Sequence, residues 1–353
     1  RAWENITKND PIMLKRMNIW ETGISKIDDP STLPTGRGNG VAFSPDGNYL
    51  AVTSDSSPFV IIYKRNGDTF TKLSNPSALP PYTGSDAAFS PDGNYLAIAH
   101  YESPYIAIYK RNGDTFTKLA NPSTLPTGVG RCVSFSPDGN YLAVSCFSSP
   151  YIIIYKRSGD TFTKLSDPTI LPTSTGIGVA FSPDGNYLAI GHSGSPFITI
   201  YKRSGDTFTK LSDPTILPTS TGIGVAFSPD GNYLAIGHSG SPFITIYKRS
   251  GDTFTKLPNP SALPTYEGND AAFSPDGNYL AVTHSLSPYI TIYKRNGDTF
   301  TKLPNLSILL PGSADGVAFS PDGNYLAIGH YKSPSITIYK SFIDDSIKKV
   351  THK

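Results

Sequence analysis

Five of the six histidines, His100, His192, His238, His284 and His330, stand 46 residues apart or a multiple of it. A ring of imidazoles invites a metal site. Zinc, however, needs every ligand about 2.0 Å from one point, and histidines carried one to a repeat cannot converge there. They are therefore read as structural. Ser54 and Cys146 fill the same position in the first and third copies. The recurring Asp46-Gly47-Asn48 lacks the dense carboxylates of an EF-type calcium loop and reads as a turn. No metal and no cofactor is expected.

Carboxylates and thiols fall on the same grid. Cys132 lies seven residues before Gly139 and Cys146 seven after it, so a hairpin turning at Gly139 would set the two side by side. The same two positions hold Asp86 with His100 and Asp270 with His284, while Gly40, Gly178, Gly224 and Gly316 occupy the first position elsewhere. Two expectations follow. Asp86–His100 and Asp270–His284 are cross-strand hydrogen-bonded pairs, and Cys132–Cys146 are close enough for thiol contact or a strained disulfide. An Asp–His pair also suits a general base and its orienter, but no nucleophile stands at a fitting place.

The elements that carry these residues follow from the phrase FSPDGNYLA, which begins at Phe43, Phe89, Phe135, Phe181, Phe227, Phe273 and Phe319. A sustained period of this length marks an array of one supersecondary unit. Each unit reads as four strands, in the first copy Gly40 to Ser44, Tyr49 to Thr53, Phe59 to Lys64 and Thr69 to Leu73. Ser44-Pro45-Asp46-Gly47 has the composition of a type I turn, and Asn66-Gly67 is a two-residue hairpin signal. The link after the fourth strand is about a dozen residues because strands lie about 4.8 Å apart, so the chain must travel back about 15 Å to start the next unit. Such units are the blades of a β-propeller. The fold expected is all-β, a seven-bladed propeller of four-stranded antiparallel blades. Ile24 to Ile27 reads as a fourth strand preceding the first full unit, so pairing of the chain ends should close the ring; a poorer fourth strand at Ser346 to Lys349 is the alternative. Residues 1–18 form a linker or attachment segment, 19–340 the propeller and 341–353 a tail. The start at Arg1, with no apolar leader, implies that a signal or a larger N-terminal region has been removed.

Val41 to Val52, followed by Ile61-Ile62-Tyr63-Lys64, resembles the blade pattern of WD-repeat and related seven-bladed propellers. The departures are Tyr63-Lys64 where that family has Trp-Asp, and a missing Gly-His pair. Near-identical blades of this Tyr-Lys type look like those of bacterial and prophage-encoded proteins, including tail and surface adhesins. That resemblance implies a virion, extracellular or cell-surface location.

Residues Ile154 to Leu211 recur unchanged as Ile200 to Leu257, so a whole blade has been duplicated. The other copies differ mostly on one rim, in the links between the second and third strands and between blades. Binding residues concentrate on loops carried by a rigid scaffold. The expected contact residues are accordingly Arg37, Asn39, Asp55, Tyr82, Tyr101, Glu102, Arg131, Phe147, Tyr266, Glu267, Tyr331 and Lys332. The inner strand, rich in alanine (Ala42, Ala88, Ala180), makes the central channel look poor in chemistry, whereas propeller lactonases and glycosidases place several charged residues there. The reading is a non-enzymatic recognition or adhesion module for a protein or cell-surface glycan, held in a larger assembly through residues 1–18. A protein-binding scaffold is the alternative. A lactonase-like enzyme comes third, because it would need charges converging in the channel.

With 30 basic against 28 acidic residues the net charge is +2, which makes no case for nucleic acid. No apolar run is long enough to span a bilayer.

Overall fold

The computed structural model describes residues 23–341. Their 28 strands make seven four-stranded antiparallel sheets, arranged as the blades of a propeller. Blade 1 consists of Gly38–Phe43, Tyr49–Ser54, Val60–Asn66 and Thr69–Lys72, from the channel outward. Blades 2 to 7 begin at Gly84, Gly130, Gly176, Gly222, Gly268 and Ala314. Blade 7 takes its outer strand from the other end of the chain: Ile24–Lys26 pairs antiparallel with Ile336–Ser341, Ile24 opposite Ser341. The ring is thus closed by the chain ends, as the repeat pattern implies. Residues 1–18, the alternative strand at 346–349 and the tail beyond Ser341 lie outside the described residues.

The apolar cores lie between blades. Tyr49, Ala51, Val60 and Ile62 of blade 1 pack against Leu96, Ile98, Tyr109 and Phe116 of blade 2, and each later junction repeats this set. The second strand, buried along its whole length in every blade, supplies much of it. At the third strand Tyr63 is fully buried and donates its hydroxyl hydrogen to the Thr32 carbonyl at 2.9 Å, so the apolar ring fills the core and its polar tip is satisfied.

Polar clamps join neighbouring blades on the invariant rim. In the turn after the inner strand, Gly47 takes a φ of +68°, which favours glycine, and its N–H reaches the Ser44 carbonyl at 2.8 Å. Asp46 accepts the Asn48 N–H at 3.0 Å and, with its other oxygen, Arg111 of the next blade at 3.0 Å. Arg111 also lies over the Tyr49 ring, 4.7 Å from its centre, while Tyr49 and Lys64 both bind Asp114, at 2.5 and 2.8 Å. The phrase of one blade therefore grips the outer hairpin of the next.

Partial desolvation alone would raise the equivalent carboxyls, but hydrogen bonds from serine, backbone and arginine outweigh it. Asp92, Asp138, Asp184 and Asp230 are held down at about 2. The unfolded chain already takes up protons near pH 4, so the stability from these groups is complete above that pH and is lost as pH falls toward 2. Thermal melts should show an acid limb from these clamps, the unfolding temperature dropping steeply between about pH 4 and 2, below the range in which the buried histidines and Asp270 titrate. The quadruple Asp→Asn variant at these positions should melt a few degrees lower at pH 7, each pair contributing roughly 0–1 kcal/mol, with a flatter acid limb. An unchanged limb would show that the clamps do not carry it.

Candidate functional site in the central channel

The inner strands begin two residues earlier than the turn chemistry suggests, at Gly38 rather than Gly40. This shift creates the site. In each blade the opening residues of that strand face the channel instead of the rim loop, and they stack as two rings of seven. The outer ring is Asn39, Ser85, Arg131, Ile177, Ile223, Asn269 and Asp315; the inner is Gly40, Asp86, Cys132, Gly178, Gly224, Asp270 and Gly316. With Arg37, Tyr101 and Val225 they line a cavity of about 250 Å³.

Glycine in the inner ring is a matter of space. A Cβ on Gly40 would sit 2.7 Å from the Asp86 Cα, and one on Gly224 only 2.6 Å from the Asp270 Cα. Each aspartate thus enters the lumen through room that a glycine in the preceding blade leaves. Both carboxyls are surrounded by protein yet touch the channel. Asp86 accepts the Val133 N–H at 3.0 Å; Asp270 accepts Val317 N–H at 3.0 Å and Ala271 N–H at 2.8 Å. These bonds anchor each carboxyl to the next blade and favour its charged form, but desolvation wins. It raises Asp86 above the ordinary carboxylate range and takes Asp270 up to about 7, the negative charge of Asp86 adding to the shift. Burial, again with Asp86 beside it, pushes the Cys132 thiol well up, so it is protonated at neutral pH.

The cations are placed differently from one another. Burial opposes the charge of Arg37, but the Asp315 carboxylate at 2.5 Å more than restores it. Burial likewise raises Asp315, which Arg37 only partly offsets. Arg131 donates to the Tyr101 hydroxyl at 3.1 Å and lies over the rings of Tyr101 and Phe147, at 5.4 and 5.8 Å. Its buried Nε has no hydrogen-bond partner. A guanidinium held by aromatic faces and not by a carboxylate keeps its donors for a ligand.

Of the expected contact residues, Arg37, Asn39, Tyr101 and Arg131 come together in this cavity. Asp55 accepts the Arg37 backbone N–H at 2.9 Å and shapes the approach to it. Phe147 and Tyr331 flank the two arginines from the rim. Tyr82 stacks on Phe59, Tyr266 tilts over Phe243, and Glu267 accepts Ser285 at 3.2 Å, all outside the cavity. Glu102 and Lys332 are exposed on the rim. The sequence reading missed Ser85, Asn269 and Asp315 as channel residues by assigning them to loops.

The cross-strand pairs do not form. A bulge between Gly84 and Asp86 sets Gly84, not Asp86, opposite His100 and puts Asp86 opposite Ala99; Gly268 likewise faces His284 and Asp270 faces Thr283. The bulge turns the carboxyls to the lumen. The histidines stay buried, where desolvation lowers His100, His238, His284 and His330 to about 4. His192, His238, His284 and His330 bond a threonine of the third strand, as in the 3.0 Å contact of His192 with Thr199. His100 has no such bond, since Ala107 replaces that threonine. The same bulge places Cys146 opposite Gly130 and Cys132 opposite Ser145, and both cysteines are free thiols.

A family model described as lactonase, 7-bladed beta-propeller, matches residues 21–167, the ring-closing strand and blades 1 to 3. No curated protein matches the chain. The lactonase match overturns the expectation of a non-enzymatic recognition or adhesion module and turns the reading toward an enzyme. The physical source of the error is the inner strand. The channel is lined not by its alanines but by the residues that precede them.

Because Gly40 and Gly224 admit the carboxyls, Gly40→Ala and Gly224→Ala should each cost about 1–3 kcal/mol in urea melts through overpacking of adjacent inner strands. Ile223→Ala, which trims a lumen side chain, should cost under about 1 kcal/mol. Equal costs for all three would refute the spatial argument.

Proposed function

We propose that the channel hydrolyses a cyclic ester, a lactone, to the open hydroxy acid. The observation that carries this reading is the convergence of Asp86, Asp270 and Arg131 in one partly desolvated cavity, and the lactonase family match to blades 1 to 3 supports it. Ester hydrolysis at neutral pH needs a base for water, a donor for the carbonyl oxygen and a proton for the leaving oxygen. Asp270, raised to about 7 by desolvation, is suited to the base. It takes a proton from water as the hydroxyl adds to the lactone carbonyl carbon. The Arg131 guanidinium donates to the oxyanion that forms. The intermediate collapses with cleavage of the ring C–O bond, and the departing alkoxide takes a proton from the Asp270 carboxylic acid. Asp86, across the lumen, is a second buried carboxyl whose charge adds to the rise that desolvation gives Asp270. The Arg37–Asp315 ion pair at the mouth orients the substrate.

Rates should be read by proton release in a pH-stat over a panel of γ- and δ-lactones, with the uncatalysed hydroxide reaction subtracted. Since the base works only when deprotonated, kcat/KM should fall tenfold per pH unit below about 7. Asp270→Asn should lose at least a hundredfold, and Arg131→Met about tenfold to a hundredfold, with melting temperatures near that of the parent. If no lactone is opened, or if Asp270→Asn retains its rate, the reading fails.

A further inference from the structure

The two rings are not uniform around the channel. Five blades place Asn39, Ser85, Arg131, Asn269 or Asp315 at the outer ring position, but the duplicated blades 4 and 5 place Ile177 and Ile223 there. Every charged residue of the cavity belongs to the other five blades. Below the two isoleucines stand Gly178 and Gly224. Its backbone is largely engaged: the Ile177 carbonyl accepts the Ser145 hydroxyl at 2.6 Å, and a Cβ on Gly178 would lie 2.1 Å from the Ile223 carbonyl oxygen, so closely do the two strands approach.

Ile177 and Ile223 do no work in the cores. Both are only half-buried, and neither belongs to the apolar clusters between blades, which use Val179 and Val225 at those junctions. Two β-branched apolar side chains left facing a lumen that is otherwise polar make a surface that gains by being covered. Asp270 adjoins this arc at blade 6 and Arg131 at blade 3, so charged side chains flank it on both sides.

We infer that the substrate carries an uncharged hydrocarbon substituent, which lies along blades 4 and 5 against Ile177, Ile223 and Val225. This inference rests on the hydrolytic reading for its chemistry, though the apolar subsite itself does not require catalysis. The substrate class is an alkyl-substituted lactone, with the ring oxygen atoms toward the charged blades and the chain toward the isoleucines.

The test is a series of γ-lactones with unbranched side chains of one to six carbons, assayed for kcat/KM, together with calorimetric binding of the matching lactams, which resist ring opening. Each added methylene should raise kcat/KM, and tighten lactam binding, about three- to fourfold over the first few carbons. In Ile177→Asn and Ile223→Asn the dependence on chain length, taken as the ratio of longest to shortest, should shrink at least tenfold. Ile177→Thr and Ile223→Thr, closer in shape, serve should the asparagine variants fail to fold. A dependence that is absent in the parent, or that survives in both variants, overturns the inference. Lactam binding that tightens with chain length, with no lactone opened, upholds the subsite and refutes the hydrolytic reading; turnover indifferent to chain length does the reverse.

Discussion

Everything in this propeller hangs on the handshake between the first hairpin of one blade and the last hairpin of the next. Asp46 and Tyr49 sit three residues apart in one phrase, and Arg111 and Asp114 sit three apart in the neighbouring turn. Two acid–base contacts and one cation–ring contact then lock together as a unit. No single pair is worth much at a surface, roughly 0–1 kcal/mol. Their weight comes from repetition and from closure. Tyr325 and Lys340 of the last blade grip Asp68 of the first, and Arg65 returns to Asp322 at 2.9 Å. In an open array a terminal unit would lack one partner. Here the Ile24–Lys26 strand completes blade 7, so each of the seven blades has a neighbour on both sides.

The same closure makes the channel narrow. Seven inner strands meeting at one axis leave little more than backbone separation, which is why a Cβ on Gly316 would lie 2.3 Å from the Asn39 carbonyl oxygen. Side chains in the inner ring are therefore exceptions that need room elsewhere. Asp86 and Asp270 are such exceptions, each following a glycine in the blade before. What crowds them also strips their water, so the constraint that admits only two carboxyls to this depth also raises their proton affinity. Geometry and titration here have one cause.

Much of the architecture was legible because it is written locally and seven times over. Pro-Asp-Gly and Asn-Gly mark the turns, the long Leu-Pro links mark the return from outer to inner strand, and Ile24 to Ile27 marks the missing outer strand. The site was not legible in the same way. The alternation of Gly40, Asp86, Cys132, Gly178, Gly224, Asp270 and Gly316 was visible, but counting residues from the turn assumes an unbroken ladder. A bulge just inside Gly84 and Gly268 breaks it. One residue of slip exchanges the faces of a strand, and so a channel carboxyl was taken for the partner of a core histidine. Bulges of this sort depend on how adjacent blades meet, which lies beyond any local sequence signal.

For the proposed hydrolase, a ring of identical units poses a physical difficulty. Ester hydrolysis needs a base, a donor and a pocket in different places, and perfect sevenfold repetition would offer the same group everywhere. Substitution at only two positions per blade resolves this. The remaining residues, those of the clamp and the interblade core, can stay fixed while Asn39, Arg131, Ile223 and Asp315, or Asp86, Cys132 and Asp270, vary around the axis. Duplication contributes as well. Copying one blade copied its outer-ring isoleucine, and two adjacent copies make a wall where one would make only a spot. Repetition thus supplies the scaffold, and its local failure supplies a sided cavity, charged over five blades and apolar over two.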